Sequence, residues 1–239
     1  MIVQAIKTRV FLEGEDLLPF VTSYIKRVPE GSVIVITSKI VALAEKRTMN
    51  IENTKTKERA IRSESSFAIK TKYVWLTIKD GMILPSAGID ESNANGKLIL
   101  LPRDSFRSAS LIRKCLQRQY GVKNLGVIVT DSRTMPLRSG VVGVALGYAG
   151  FRGLREYRGK PDIYGRKLKF SSTDVADSLA TAAVFLMGEG DERQPLALIK
   201  KAPIKFCERV RRDELRISIE DDMFRPFFRG ILRKYSKKT

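Results

Sequence analysis

Val33-Ile34-Val35-Ile36-Thr37-Ser38-Lys39 sets four consecutive β-branched apolar residues directly before two hydroxyls and a lysine. A strand with one wet face alternates apolar and polar side chains. A run that is apolar at every position reads as a strand buried on both faces, as in an α/β sheet covered by helices. The hydroxyls and the lysine then mark where the chain leaves the buried layer and where binding groups collect. Upstream, Pro29-Glu30-Gly31 is a turn, and Glu15 to Val28 carries Leu17, Leu18, Val21, Tyr24 and Ile25 at helical spacing. With an extended start from Ile2 to Phe11, the chain therefore opens strand, helix, strand.

A second buried-strand candidate, Leu125 to Thr130, delivers Asp131-Ser132 at its carboxyl end, the edge at which open α/β sheets place ligand groups. Asp104 is placed to cap a helix through Gln119 that Gly121 stops, with its arginines and lysines on a solvated face. Thr173 or Asp174 caps a second helix through Leu186, rich in Ala176, Ala180, Ala182 and Ala183 and stopped by Gly188-Glu189-Gly190. Between these lie a polar stretch, Asn50 to Lys72, with no clear period and read as peripheral, and a strand, Tyr73 to Ile78. A loop from Pro85 to Gly96 and an apolar run, Leu98 to Leu101, follow. Gly140, Gly143, Gly147, Gly150 and Gly153 read as close packing or turns.

Composition bounds the chemistry. With 239 residues and 43% hydrophobic content, a full core is within reach, and one domain over 1–239 with a basic tail from about 205 is expected. The chain has no histidine, which removes the commonest general base and transition-metal ligand. Cys115 and Cys207 stand alone, so a zinc site is not expected. No apolar run approaches 20 residues and no signal peptide is read at the start, which gives a cytoplasmic expectation. A formal net charge of +18 would draw anionic partners, or would simply keep the surface soluble.

Asp90, Asp131 and Glu189 each follow an apolar element in a loop with glycine or hydroxyl residues. Convergent carboxylates suit magnesium or manganese, hard ions that take oxygen ligands. Taken singly, each acid is more often a turn residue or a helix cap than a ligand. No P-loop or GxGxxG fingerprint is present. Ser38-Lys39 offers a hydroxyl and a point charge to phosphate, and Arg133 and Arg138 can fork onto a phosphate or carboxylate.

Four blocks in order resemble the coenzyme F420-0:gamma-glutamyl ligase family. They are Val35 to Lys39 with Ala44-Glu45-Lys46-Arg47, Gly88-Ile89-Asp90-Glu91-Ser92-Asn93, Ile128 to Ser132 with Pro136-Leu137-Arg138, and Leu186-Met187-Gly188-Glu189. The likeness runs from about Gly14 to Ile199. It implies a mixed α/β (α+β) fold with mixed sheets, an intertwined homodimer, and a ligase that activates an acceptor carboxylate as an acyl phosphate for attack by the amine of L-glutamate.

By that resemblance Asp90, Asp131, Ser132 and Glu189 bind Mg²⁺ or Mn²⁺, with K⁺ as a further ion. Ser38, Lys39, Asn93, Met187, Gly188, Gly190 and Asp191 hold GTP or ATP, and Asp131 and Arg138 act in catalysis. Three departures stand out. Leu43 replaces a lysine, Ser132 stands where threonine is usual, and Arg133-Thr134-Met135 interrupts the family's DTxGRPxR. This variant pattern resembles a branch associated with folate metabolism, so dihydropteroate or folate is the alternative acceptor to F420-0. From another class, a nucleic-acid-binding protein would use the C-terminal basic residues with Phe224, Phe227 and Phe228 as a stacking platform. Membrane partners are not expected.

Overall fold

A computed structural model describes residues 1–51 and 53–228; Arg229 to Thr239, the end of the basic tail, lie outside the described residues. In chain order the elements are β1 (Ile2–Ile6), α1 (Leu17–Tyr24), β2 (Ser32–Thr37), α2 (Ser38–Ala44), β3 (Thr48–Asn50), α3 (Thr54–Ser63), β4 (Phe67–Lys70), β5 (Trp75–Lys79), β6 (Met82–Pro85) and β7 (Lys97–Ile99). Then come α4 (Ser105–Tyr120), β8 (Leu125–Thr134), β9 (Val141–Ala149), β10 (Leu154–Glu156), β11 (Ser172–Asp174), α5 (Val175–Met187) and β12 (Leu196–Lys200). The mixed α/β expectation holds.

The largest sheet has the order β1-β12-β2-β8-β9. Its centre is the parallel pair β2 and β8, flanked by antiparallel neighbours. Val33 to Ile36 are fully buried, and their alternation sorts them between two cores. Ile34 and Ile36 join Val127, Val129, Leu196 and Leu198 under α1 and α4, packing on Phe20, Val21, Ile112 and Leu116. Val33 and Val35 join Ile128, Ala197 and Ile199 under α5, whose Ala176, Ala180 and Ala183 allow a close approach. Each such buried side chain contributes roughly 1.5–3 kcal/mol, so an Ile34→Ala cavity at the middle of the sheet would cost about 2–5 kcal/mol.

β9 is held between α4 and α5 by missing side chains. A Cβ on Gly147 would lie 2.3 Å from the Ser105 backbone carbon, and one on Gly143 would lie 2.5 Å from the Ala180 carbonyl oxygen. Close packing was the expected reading for these glycines. The nine-residue strand that contains them was not expected, because glycine carries no strand pattern.

Helix ends match the sequence well. The Asp104 carboxylate accepts from the Arg107 amide, Gly121 stops α4 in the left-handed region, and Asp174 caps α5 by accepting from the Asp177 amide. Several boundaries move. The opening strand ends at Ile6 and the first helix spans only Leu17–Tyr24. Thr54–Ser63, within the stretch read as peripheral, is a helix capped by Asn53. Arg113 on α4 is not on a solvated face: it is 4% exposed, its Nε donates to the Leu125 carbonyl, and its guanidinium forks onto Glu208 at 3.0 and 3.1 Å.

A small antiparallel sheet, β4-β5-β6, packs with α3 around Trp75, Ile61 and Leu98. Leu84 and Leu101 join it to Val144 and Leu146 of β9. This arrangement carries the loop that follows β6 to the end of the parallel strands.

Candidate active site

β2 and β8 run parallel and in register from Ser32 and Leu125 to Thr37 and Thr130, so the groups beyond Thr37 and Thr130 emerge side by side. Lys39 lies in the first turn of α2, immediately past β2. Asp131 and Ser132 are not past the end of their strand as expected; they lie inside β8, which continues to Thr134 against β9. A register shift between Val129 and Thr130 re-aims the strand just before them.

The loop after β6 brings in Asp90. Its backbone exchanges two hydrogen bonds with Ile99, 3.0 and 2.8 Å, which fixes the loop to β7. The Asp90 carboxylate accepts from the Ser92 amide at 2.7 Å and from the Ser92 hydroxyl at 2.8 Å, and pairs with Lys39 Nζ at 2.7 Å. Lys39 also donates to the Ser92 carbonyl at 2.9 Å. Glu189, just beyond α5, accepts from the Ser132 hydroxyl at 3.1 Å. Asn93, held in the left-handed region, reaches the Gly190 carbonyl at 3.4 Å. The structure therefore joins all four sequence blocks through side chains: Lys39 to Asp90, Ser132 to Glu189, and Asn93 to Gly190 just past the fourth block.

The electrostatics separate the acids. Burial pushes Asp90 up, but the Lys39 ammonium and the Ser92 donors more than offset it and hold the group below its ordinary range. Asp131 goes the other way, pushed up to about 7. Its carboxyl is enclosed although part of the residue is open to solvent, and burial is the main cause; the Ser132 amide and Lys39 pull down while Asp90 and Glu189 push up. Neighbouring acids with opposed shifts are typical of sites that bind cations or move protons. The donor set is carboxylate and hydroxyl oxygen, the kind a hard divalent ion takes. Among the described residues no three acidic or thiol side chains are arranged to hold an ion by themselves.

Other expected residues sit differently. Ser38 opens α2 and is buried, and the Met187 side chain belongs to the core under α5, which leaves only its backbone for a ligand. Gly188, at a φ of 80°, and Asp191 lie in the loop after α5, where the Gly190 amide donates to Glu192 at 2.8 Å. Arg138 is exposed in the β8–β9 turn, where its amide donates to the Met135 carbonyl. Arg133 faces Asp177 at 3.6 Å, and its buried Nε has no hydrogen-bond partner. Leu43 packs, half-buried, against Ala42, Ala94 and Ile99.

Two participants were not singled out from the sequence. Ser92 organises Asp90, and the Asx-type spacing Asp90-x-Ser92 was the available signal. The Asp174 and Asp177 pair at the start of α5 meets Arg133 only through the fold, since more than 40 residues separate them.

A family model described as F420-0:Gamma-glutamyl ligase matches residues 5–201. A relative from Methanothermobacter thermautotrophicus named coenzyme F420:L-glutamate ligase is 35% identical over 80% of this chain and 78% of its own length. Proteins of the same name from Methanopyrus kandleri and Methanococcus maripaludis are 34% and 32% identical, over 78% and 82% of this chain and 81% and 86% of their own.

Proposed function

The chain belongs to the F420-0:gamma-glutamyl ligase family, and we propose that it is an ATP- or GTP-driven ligase that joins the amine of L-glutamate to the carboxylate of F420-0. The observation that carries this reading is the gathering of Asp90, Asp131 and Glu189 at the end of two parallel strands, where Lys39 pairs with Asp90 and the Ser132 hydroxyl donates to Glu189. In a chain of net charge +18, that is a local surplus of negative charge.

A hard cation fits such a surplus. Mg²⁺ usually takes one or two carboxylates and completes its shell with water and substrate phosphate, so three loosely gathered acids suit it better than a closed cage would. Asp90, Asp131 and Glu189, with the Ser132 hydroxyl, are the residues that would hold it. When bound, it would supply positive charge to the triphosphate and to the phosphoryl group in transfer.

The chain's own residues position the reactants. Lys39 is a point charge for phosphate oxygens, held at the rim by Asp90 and the Ser92 carbonyl. The acceptor carboxylate attacks the terminal phosphoryl group, and the nucleoside diphosphate leaves. The glutamate amine then attacks the acyl carbon, and inorganic phosphate leaves as the amide forms. Asn93, Gly188, Gly190 and Asp191 would line the side where the nucleotide lies, and Arg138 in the β8–β9 turn would meet an anionic reactant. The exposed Phe185 and Leu186 on α5 support a homodimer. No helix among the described residues is long and apolar enough to cross a membrane.

The test is an assay with L-glutamate, Mn²⁺ or Mg²⁺, GTP or ATP, and F420-0 or dihydropteroate, with product mass measured. One added glutamyl unit on F420-0 is expected. Addition to dihydropteroate alone would move the acceptor to the folate class, the direction in which the departures at Leu43 and Arg133-Thr134-Met135 point. No addition to either, with folded protein and bound metal, would sink the ligase reading.

A further inference from the structure

β1 is an edge strand that pairs only with β12 among the described residues. A groove of about 460 Å³ follows Gln4 to Lys7 along that edge, against the end of α1. Four cations line it, Lys7, Lys26, Arg27 and Lys200, and no acidic residue does. None of the four makes an ion pair among the described residues, whereas Lys39, Arg47, Lys57 and Lys79 all do. A second hollow of about 470 Å³ shares Lys26, Arg27 and Pro29 and extends to Gln119 and Tyr120. Unpaired like charges around one concavity focus a positive potential that favours an extended anion.

The groove begins near the active site. Ile6 pairs with Leu196 and Leu196 with Ile36, so the Lys7 end of β1 lies at the same end of the sheet as Lys39 and Asp131. The Thr8 amide donates to the Arg193 carbonyl at 2.8 Å, in the loop that follows Glu189. Only β12 separates β1 from β2, a sideways step of about 10 Å by strand spacing. From there the groove runs roughly 15 Å along five residues toward Lys200.

Resting on the function proposed above, the reaction itself names an occupant. Joining glutamate through its amine consumes one carboxylate of the acceptor and brings in two. Each round therefore adds one negative charge and leaves a carboxylate that can be activated again. We propose that the groove along β1 binds the extended γ-glutamyl tail of an elongated product or acceptor. Its carboxylates meet Lys7, Lys200, Lys26 and Arg27, and its amides lie against the free backbone edge of β1. A nucleic acid fits less well, because the two nearby tyrosines are tethered by their hydroxyls and Tyr24 already packs on Phe20. Tyr24 accepts from the Arg9 amide, and Tyr120 donates to the Ile25 carbonyl.

The experiment is calorimetric binding of synthetic oligo-γ-L-glutamates of one to six units to the full chain, without nucleotide. A dT oligomer of equal charge is the comparison. Wild-type affinity should rise with length, about tenfold from two units to six, and fall as salt increases. The variant Lys26→Glu/Arg27→Glu/Lys200→Glu should lose about tenfold for the six-unit ligand and little for the two-unit one. If charge reversal unfolds the chain by circular dichroism, the methionine triple variant at the same positions serves and should lose the same length dependence. Equal binding of two and six units, unchanged binding in the folded variant, or tighter binding of the dT oligomer would each overturn the proposal. Because no turnover is read, a chain that ligates nothing would refute the proposed activity without deciding this result.

Discussion

Two clusters of opposite charge show what this molecule does with its acids. Where the small sheet meets the body, Glu64 accepts from Arg47 and Lys79 at 2.8 Å each, one carboxylate between two cations. At the end of the parallel strands, three acids, Asp90, Asp131 and Glu189, stand near one another with Lys39 the ion-pair partner of Asp90. Both clusters are partly buried. The first has its one carboxylate paired by both cations, which are anchored further on the Leu101 and Glu64 carbonyls, so its charges hold structure together. The second is left with surplus negative charge in a strongly basic chain, which burial makes costly unless something positive arrives. A cluster whose acid is paired on both sides is architecture; acids left in excess of their cations mark a place where a ligand completes the charge balance.

The largest effect expected from this contrast is at Asp131. Asp131→Asn keeps volume and removes charge, and should lower turnover by at least about 1000-fold. The same change should raise stability by about 2 kcal/mol, or roughly 4–8 °C in Tm for a chain of this size, because it removes an enclosed carboxylate flanked by two others. Activity loss with a raised Tm would place the residue in the functional cluster. Activity loss with a collapse of Tm would make it structural and dissolve the contrast.

Next comes the cation itself. Mn²⁺ at about 100 times its dissociation constant should stabilise the wild type by about 2.7 kcal/mol, and leave Asp131→Asn nearly unmoved. A wild-type melting curve that ignores Mn²⁺ and Mg²⁺ with nucleotide present would remove the reason given for the surplus.

At the other cluster, Glu64→Gln should cost about 2 kcal/mol by stranding Arg47 and Lys79, while turnover stays within about threefold of wild type. The pH dependence follows. Burial raises Glu64, but Lys79 and Arg47 pull it below its ordinary value. A depressed carboxylate stabilises the fold above its unfolded pKa, and that contribution is lost as pH falls through the folded value. The Tm difference between wild type and variant should therefore be full at pH 7 and close below about pH 4. A difference that does not narrow at all as pH falls further below 4 would mean that shape, not charge, makes the contact.

The sequence carried these two clusters unequally, for physical reasons. Val33 to Ile36 and Leu125 to Thr130 were legible because burial on both faces demands apolar residues at every position. The caps Asp104 and Asp174 were legible because orphan amides need a short acceptor. Asp90, Asp131 and Glu189 stood out as loop acids, and the fold brings them near one another. Nothing local encodes the Arg47–Glu64–Lys79 cluster or the Arg113–Glu208 fork, since their partners lie 15 or more residues apart and any lysine or arginine looks solvated in a basic chain. β9 was hidden by Gly143 and Gly147, whose role is to make room for other elements.

The smallest effect tests a third cluster that falls between the two. Asp174 and Asp177 start α5 with Arg133 at 3.6 Å from Asp177, two acids against one distant cation. Burial, then Asp177, pushes Asp174 up to about 6. With a folded pKa above the unfolded one, the native state takes up protons first. Stability should therefore rise as pH falls from about 6 toward 4 and level off below the unfolded value near 4. Asp174→Asn keeps a good cap for the Asp177 amide and removes the charge, so at pH 7 it should stabilise by about 1 kcal/mol after allowance for partial exposure. That gain should be full above about pH 6 and vanish only as pH falls through the unfolded value near 4, where Asp174 is protonated in both states. If Asp174→Asn stabilises without loss of turnover, its charge is a tolerated cost of capping α5. If it stabilises while weakening the KM for glutamate and leaving kcat alone, this surplus also serves a ligand. The division between clusters whose acids are paired and clusters that a ligand completes would then extend along the whole start of α5.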